Sequence, residues 1–315
     1  MKKINFSIIG CGNIAGNYIT KFKLNKKYTH ANTLKSLADP LICVDANYKN
    51  LIKFQKKWRF KYRSKNLNIF KKCSNLIDIL VISSPTKTHY KIIRRILDLN
   101  LNPKIIVCEK PFTNRYHDAK KILRECRKRK IKLITNYNRR WDSTTLKIQK
   151  KINKKIFGNF IHGNVIFSKG ILNTSSHFID LLFILFGYKN FEIGPVNHKK
   201  KFEIIYKKSK LKSKIFFIHR DKKKVSTSEI ILYFDKKIVF SYDGGITWIE
   251  REYDMSTLFK KKVAKIYKYK STISKTLPNL YKFIINILMS RQNSSKLNIY
   301  NNQDLKIHNF LKKVI

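Results

Sequence analysis

The sequence predicts an α/β fold in two parts, an N-terminal doubly wound parallel sheet followed by an α+β domain with a largely antiparallel sheet. Three observations support this prediction. Short apolar runs alternate with longer helical patterns in the first half, a glycine-rich turn follows the first run, and strand patterns follow one another in the second half with few helices between them. Alternating strands and helices form parallel sheets with crossover helices, whereas consecutive strands pair in antiparallel fashion.

The first half contains five strand patterns separated by four helix patterns. Strands are predicted at residues 4–9, 41–44, 77–82, 104–108 and 131–135. Helices are predicted at residues 14–26, 48–58, 89–99 and 117–130. Because a helix connects each strand to the next, the strands are expected to be parallel and covered on both faces.

The second half is richer in strands. Further strands are predicted at residues 160–167, 202–206, 214–219, 229–234 and 237–242, with a hairpin turn at Asp235 and Lys236. The change of pattern places the domain boundary near residues 136–142. We therefore predict a dinucleotide-binding domain over residues 1–138 and a substrate and oligomerisation domain over residues 139–315.

The net charge of +50, from 69 Lys and Arg against 19 Asp and Glu, is extreme for a chain of 315 residues. Such a charge is typical of nucleic-acid or anionic-membrane binders. The basic residues are spread over the whole chain, however, and no nucleic-acid motif accompanies them. We favour a compositional bias on solvated faces, and expect neither a specific nucleic-acid partner nor a membrane partner. An anionic substrate would still be attracted to this surface.

Cysteine and histidine usage points to a reducing cytoplasm and to no metal. The five cysteines are an odd number without a paired Cys-x-x-Cys spacing, and no Cys/His ligand spacing is present. The start of the chain faintly resembles a signal peptide, but Gly10 and Gly12 interrupt its apolar run. No apolar run approaches the roughly 20 residues that a membrane span needs.

A phosphate-binding turn is predicted directly after the first strand. The segment from Gly10 has the spacing G-x-G-x-x-A, formed by Gly10, Gly12 and Ala15. The first glycine permits a tight turn, the second lets the backbone approach a pyrophosphate, and the third small residue allows close packing. Asn13 and Ile14, at the start of the following helix, are predicted to contact the cofactor with their backbone N–H groups. A plain structural turn is the alternative.

Asp45 follows the second strand. A carboxylate there accepts hydrogen bonds from the adenosine ribose and repels a 2′-phosphate, so NAD is favoured over NADP. Asp45 lies farther from the glycine turn than is usual. An aspartate that simply begins a turn is the alternative.

Four segments then resemble one family, the glucose–fructose oxidoreductase, inositol dehydrogenase and rhizopine-catabolism dehydrogenases. Cys108-Glu109-Lys110-Pro111 ends a predicted strand with the family's Glu-Lys-Pro, and residues 84–89 are similar to its segment near the nicotinamide. Residues 136–141 resemble its bridge between domains, and residues 170–182 resemble its catalytic helix. The resemblance covers roughly residues 1–190.

The resemblance implies roles for particular residues. It assigns Lys110 and His177 to catalysis, with His177 as the general acid or base. Lys110 also lies at the carboxyl end of a predicted parallel strand, where ligands bind in open α/β sheets. Asn173 stands where the family usually has Asp, four residues before His177, and could bind a sugar hydroxyl or orient the imidazole. The full predicted substrate set is Lys110, Arg140, Asn173 and His177; the predicted cofactor contacts outside the glycine turn are Asp45, Ser84, Pro85, His89 and Glu109.

The predicted function is an NAD-dependent oxidoreductase that transfers hydride between nicotinamide and a secondary alcohol or ketone. The expected substrate is a sugar, cyclitol or nucleotide-sugar, with surface-polysaccharide sugar synthesis as a possible setting. A non-catalytic nucleotide-binding regulator is the main alternative, since Asn173 departs from the family pattern, and a nucleic-acid binder is a third. Assembly as a homo-oligomer, a dimer or tetramer formed through the sheet of the C-terminal domain, is also expected from the resemblance.

Overall fold

The computed structural model describes residues 4–18, 29–196, 201–208, 212–220, 227–254, 262–290 and 294–315. The chain divides into two compact units. The first unit comprises residues 1–141 and 274–308, and the second comprises residues 142–273 and 309–315. The predicted division had placed the whole of 139–315 in one domain, so the segment 274–308 is the point of difference.

The framework of the first unit is a six-stranded sheet in the order β3-β2-β1-β4-β5-β6. Every neighbouring pair of strands is parallel. The strands are β1 (Asn5–Ile9), β2 (Asp39–Val44), β3 (Tyr62–Ser64), β4 (Ile79–Ile82), β5 (Ile105–Glu109) and β6 (Lys132–Asn136). The predicted parallel sheet is confirmed, and the short β3 at its edge is an addition to it.

Eight α-helices lie within the described residues. They are α1 (His30–Leu34), α2 (Tyr48–Trp58), α3 (Thr86–Asp98), α4 (Tyr116–Lys128), α5 (Ser143–Asn153), α6 (Ile171–Phe186), α7 (Ile273–Ser290) and α8 (Ser294–Val314). The predicted helix over residues 14–26 is represented only at its start, by a π-helical turn at Asn13–Asn17. Residues 19–26 of that prediction lie outside the described part of the chain.

The central strands of the first-unit sheet are buried on both faces because successive residues in them are apolar. In β4, Ile79 and Val81 join one apolar cluster, whereas Leu80 and Ile82 join the cluster on the opposite face. Side chains alternate between the two faces of a strand, so a continuous apolar run supplies both cores. This is why the parallel strands could be recognised from their runs of Ile, Leu and Val.

Helix α7 belongs to the first unit although it follows the second-unit strands in the chain. Its buried residues Leu277, Leu280, Tyr281 and Ile284 recur at helical spacing and pack in the same cluster as the sheet residues. This apolar stripe explains why residues 274–308 group with the first unit. Sequence pattern alone shows the stripe and does not show which core it joins.

The second unit contains an eight-stranded sheet in the order β14-β13-β12-β11-β7-β10-β9-β8. Among the described pairs, β7 and β10 are parallel and the others are antiparallel. The strands are β7 (Phe160–Phe167), β8 (Phe191–Ile193), β9 (Lys201–Tyr206), β10 (Lys214–His219), β11 (Ser228–Phe234), β12 (Lys237–Ser241), β13 (Thr247–Asp254) and β14 (Lys262–Lys270). The predicted fold class is confirmed.

Strand β13 was missed because a charged residue occupies a buried position in it. Glu250 is buried, and its carboxylate accepts a hydrogen bond from the Lys151 ammonium of α5 at 2.7 Å. A buried carboxylate needs such a partner, and the pairing cannot be read from either segment alone. Strand β14 was not predicted either. It lies at the edge of the sheet, and its Ile266 is exposed.

Candidate functional site

Gly10 occupies the tight turn at the end of β1. Its φ of +92° lies in the region that favours glycine, and its N–H donates to the Val44 carbonyl at 2.8 Å. A Cβ added to Gly10 would lie 2.5 Å from the backbone nitrogen of Ser84. The close approach of two backbone segments therefore requires glycine here.

Gly12 has a different environment. A Cβ added to Gly12 would meet nothing within 4 Å, and its φ of −82° is accessible to any residue. The open space beside this backbone fits the approach of a pyrophosphate. Asn13 is exposed and Ile14 is half-buried at the start of the π-helical turn, a type of turn that occurs often at functional sites.

Close packing against α2 depends on Gly16. An added Cβ there would lie 2.3 Å from the Trp58 Nε1 atom and 2.7 Å from the Phe54 ring. Ala15, the predicted third small residue, is also fully buried. Both small residues therefore let the turn pack tightly, and the structure adds Gly16 to the predicted motif.

Asp45 joins the end of β2 to the glycine turn. Its Oδ2 atom accepts a hydrogen bond from the Cys11 N–H at 2.6 Å, and its Oδ1 atom accepts one from the Asn47 N–H at 2.7 Å. The carboxylate is half-buried. A carboxylate therefore lies beside the turn. In this position it can accept a hydrogen bond from a ribose hydroxyl, and it would repel a 2′-phosphate.

His89 supports the loop that contains Ser84 and Pro85. It is fully buried, its Nε2 atom lies 2.7 Å from the Ser84 carbonyl oxygen, and its Nδ1 atom lies 3.2 Å from the Pro111 carbonyl oxygen. Burial lowers the pKa of His89, although hydrogen bonds to these two carbonyls act in the opposite direction. We predicted a cofactor contact for His89; its burial instead favours a role in joining the loops after β4 and β5.

Glu109 ends β5 and is held by two side chains. Its Oε1 atom accepts hydrogen bonds from His30 Nε2 at 2.9 Å and from Asn136 Nδ2 at 2.7 Å. Glu109 and Asn136 are partners in the register of β5 and β6. Burial acts to raise the pKa of Glu109, but its interactions with His30, Asn136 and Lys110 lower it overall, so the carboxylate is ionised at neutral pH.

Lys110 follows at the carboxyl end of β5 and is half-buried, and its peptide bond to Pro111 is cis. Burial lowers the pKa of the Lys110 ammonium, and the negative charge of Glu109 offsets part of this effect. A partly desolvated ammonium at this edge of a parallel sheet can bind and polarise a carbonyl oxygen.

Arg140 has a structural position. Its side chain is fully buried, and its guanidinium pairs with the carboxylate of Asp304 and stacks over the rings of Tyr137 and Tyr300. Desolvation raises the pKa of Asp304, which the positive charge of Arg140 partly offsets. The predicted contact between Arg140 and substrate is not favoured, because its guanidinium is committed to holding α8 within the first unit.

Asn173 and His177 lie one turn apart on α6 in the second unit. Asn173 is exposed and His177 is half-buried, whereas the later residues of the helix, from Phe178 to Phe186, are buried. The spacing of four residues places both side chains on one face of the helix. The amide and the imidazole therefore lie on the same face of α6, and their roles stay predictions.

The residues that sequence reasoning missed are His30 and Tyr281. Sequence analysis assigned no role to either residue, because the residues that they contact lie far away in the chain. Among the described residues, no group of three or more Asp, Glu, His or Cys side chains could hold a metal ion. None of the described helices combines the length and the apolarity needed to cross a membrane.

The sheet order, with a glycine turn after the first strand and a carboxylate after the second, defines the first unit as a dinucleotide-binding Rossmann domain. Residues 4–137 match the family model described as "Oxidoreductase family, NAD-binding Rossmann fold". This part of the chain, less than half of the whole, resembles the glucose–fructose oxidoreductase, inositol dehydrogenase and rhizopine-catabolism family. The predicted resemblance is confirmed.

Individual known proteins agree with this assignment. An uncharacterised oxidoreductase of Schizosaccharomyces pombe is 33% identical over 85 residues, which are 27% of this chain and 22% of that protein. The match thus spans about a fifth of the length of that relative.

Two solved structures share the fold over nearly the whole chain. The 3-ketoreductase KijD10 from Actinomadura kijaniata, in complex with NADP and TDP-benzene, is 10% identical with a TM-score of 0.75, covering 99% of this chain and 96% of its own. An oxidoreductase from Agrobacterium radiobacter, in complex with NAD+, L-tartaric acid and magnesium, is 15% identical with a TM-score of 0.68, covering 99% and 95%. At these identities the likeness concerns the fold.

The contrast between Gly10 and Gly12 leads to a prediction. Gly10→Ala should lower the free energy of unfolding by about 2–4 kcal/mol, because it combines a positive φ with a backbone clash. Gly12→Ala should leave the melting temperature near that of the wild type but weaken NADH binding about tenfold or more, because the added methyl group occupies the pyrophosphate approach. Thermal unfolding and NADH titration of both variants check this. Wild-type NADH affinity in Gly12→Ala would show that the turn does not bind the cofactor.

Proposed function

We propose that this chain is an NAD-dependent oxidoreductase that transfers hydride between nicotinamide and a secondary alcohol or ketone. The observation that carries the proposal is Lys110. It stands half-buried at the carboxyl end of β5, next to an ionised Glu109, within a Rossmann domain of an oxidoreductase family. A cation at this edge of the sheet is where negative charge on a substrate oxygen would need stabilisation.

The cofactor is proposed to bind at the glycine turn. The residues present fit a dinucleotide, because Gly12 leaves open space beside the backbone and Asp45 holds a carboxylate next to the turn. Asn13 and Ile14 at the turn, and Ser84 and Pro85 after β4, are proposed as further contacts. When bound, the nicotinamide supplies or accepts the hydride.

The remaining chemistry falls to side chains of this chain. In the reduction direction, the Lys110 ammonium donates a hydrogen bond to the substrate carbonyl oxygen and stabilises the alkoxide as it develops. His177 then gives that oxygen a proton, and in oxidation it removes the proton from the hydroxyl. Asn173 is proposed to hold a neighbouring hydroxyl or to orient the imidazole of His177.

A sugar, cyclitol or nucleotide-sugar is the proposed substrate class. Two facts support a nucleotide-sugar in particular: the net charge of +50 attracts anions, and a protein of the same fold is known in complex with TDP-benzene and NADP. A role in surface-polysaccharide sugar synthesis would fit this class.

A homo-oligomer formed through the second-unit sheet is also proposed, and the exposed Ile161, Phe216, Ile246 and Ile266 of that unit support it.

The test of the proposed function is a turnover assay with NADH and NAD+ against a panel of sugars, cyclitols and nucleotide-sugars. We expect one class to be oxidised or reduced, with the cofactor change and the product followed together. NADH binding without turnover on any member would favour the non-catalytic regulator instead. Failure to bind either dinucleotide would contradict both hypotheses.

Cofactor preference gives a prediction at Asp45. NADH should bind about fivefold or more tightly than NADPH, because the Asp45 carboxylate repels a 2′-phosphate. Asp45→Asn removes the charge and keeps one acceptor oxygen, which can accept from one of the two N–H groups, that of Cys11 or that of Asn47. It should narrow the difference between the NADH and NADPH affinities mainly by improving NADPH binding. Calorimetric titration of both cofactors measures the ratio. Equal affinities in the wild-type protein would contradict the prediction.

A further inference from the structure

Three buried or half-buried side chains from distant parts of the first unit form a continuous chain of hydrogen bonds. The Tyr281 hydroxyl of α7 lies 2.5 Å from His30 Nδ1, and His30 Nε2 lies 2.9 Å from Glu109 Oε1. Tyr281 and His30 are fully buried, and their rings meet edge to face with centroids 5.9 Å apart. Helices α1 and α7 therefore both contribute to the end of β5.

The direction of these hydrogen bonds follows from their last member. Glu109 is ionised and can only accept, so His30 Nε2 carries the proton and donates it. Burial together with the negative charge of Glu109 raises the pKa of Tyr281, so the phenol stays protonated and its hydroxyl shares a hydrogen bond with His30 Nδ1. Tyr281 and Glu109 thus hold the His30 ring between them, one at each ring nitrogen.

This chain of hydrogen bonds ends on the Glu109 carboxylate, which does not form an ion pair with Lys110, its neighbour in sequence. Glu109 Oε1 is occupied by His30 and Asn136, and among the described ion pairs the partner of Glu109 is His30 rather than Lys110. Lys110 nevertheless lies close enough for the two charges to influence each other. The Lys110 ammonium therefore interacts electrostatically with the Glu109 carboxylate but does not form an ion pair with it.

We propose that His30 and Tyr281 are positioning residues that hold the Glu109 carboxylate away from a direct ion pair with Lys110. In this arrangement the Lys110 ammonium keeps its N–H donors for a substrate oxygen. An ammonium locked onto a carboxylate would lose both donors and electrophilic strength. The inference rests on the proposed role of Lys110 and adds the side chains that make that role possible.

Within the part of the chain that the structure describes, the titratable groups that interact electrostatically with Glu109 come from several elements. They are His30 of α1, His89 of α3, Cys108 and Lys110 at the end of β5 and Tyr281 of α7. Of these, the Lys110 amine is the one expected to report on the position of the carboxylate. If the hold on Glu109 is lost, the carboxylate can approach Lys110 and make its ammonium harder to deprotonate.

The experiment measures the titration of Lys110 directly, by competitive acetylation across pH with mass-spectrometric readout. Because it needs no substrate, it stays informative even if the proposed function fails. In Tyr281→Phe and His30→Leu, the pH at which Lys110 becomes reactive should rise by about half a unit or more. His30→Gln can accept from Tyr281 and donate to Glu109 through its amide, so it should restore behaviour close to wild type.

Turnover is the second readout once a substrate is known. Tyr281→Phe and His30→Leu should lower kcat about tenfold, the size of effect expected when a hydrogen bond that orients a neighbouring active group is lost. NADH affinity should change little. Thr135→Val is the matched control, because it removes a buried hydrogen bond to Asp304 in the same unit without touching Glu109. Unchanged Lys110 titration in folded, NADH-binding Tyr281→Phe and His30→Leu would overturn the proposal, as would a shift of equal size in Thr135→Val.

Discussion

Lys110→Ala should lower turnover by about 10²–10⁴-fold, with little change in NADH affinity. The expected loss is large because, in the proposed mechanism, the ammonium stabilises charge that develops only in the transition state, in a partly desolvated position at the end of β5. Steady-state kinetics on the substrate found in the panel measure it, with NADH titration as a test of the cofactor site.

The pKa of Lys110 adds a second expected feature. Burial lowers this pKa, and Glu109 offsets only part of the effect, so the ammonium is lost at a lower pH than for a free lysine. Activity should therefore fall as pH rises through that lowered pKa. Lys110→Arg keeps a positive charge throughout, so its residual activity should lack this alkaline decline. The same alkaline decline in Lys110→Arg would assign it to another group.

His177→Ala should also lower turnover by about 10²–10⁴-fold, the range expected when a general acid or base is lost. Asn173→Ala, one turn away on the same face of α6, is the matched variant. It should mainly raise KM with a smaller decrease in kcat, because an amide can bind or orient but cannot transfer the proton.

Lys110→Ala and His177→Ala together decide between the oxidoreductase and the non-catalytic regulator. Near-wild-type turnover in both Lys110→Ala and His177→Ala would contradict the proposed mechanism while leaving the Rossmann assignment unaffected. Loss of activity in Lys110→Ala alone would support the role of Lys110 in stabilising the alkoxide. It would also assign the proton transfer to a residue other than His177. A normal melting temperature in each variant is required for either conclusion.

Local sequence signals determined the fold class and the glycine turn that we propose binds the cofactor. Apolar runs such as residues 79–82 predict buried parallel strands, because alternate side chains must fill cores on both faces. Gly10, Gly12 and Asp45 were recognisable because a turn of this kind depends on backbone conformation within a few residues of a strand end. Lys110, Asn173 and His177 were chosen through the family resemblance, and their roles are predictions for the kinetic experiments.

Only the tertiary structure decided what surrounds Lys110 and where the C-terminal helices belong. The apolar stripe of α7 could have packed on either core, and it joined the first unit, which brings Tyr281 to His30. His30, Glu109, Asn136 and Tyr281 are separated by up to 251 positions, so no periodicity or local spacing links them. Arg140 could equally have faced a ligand, but Asp304 of α8 neutralises it within the core. Burial and long-range pairing are properties of the packed chain, and they assign these polar residues their partners.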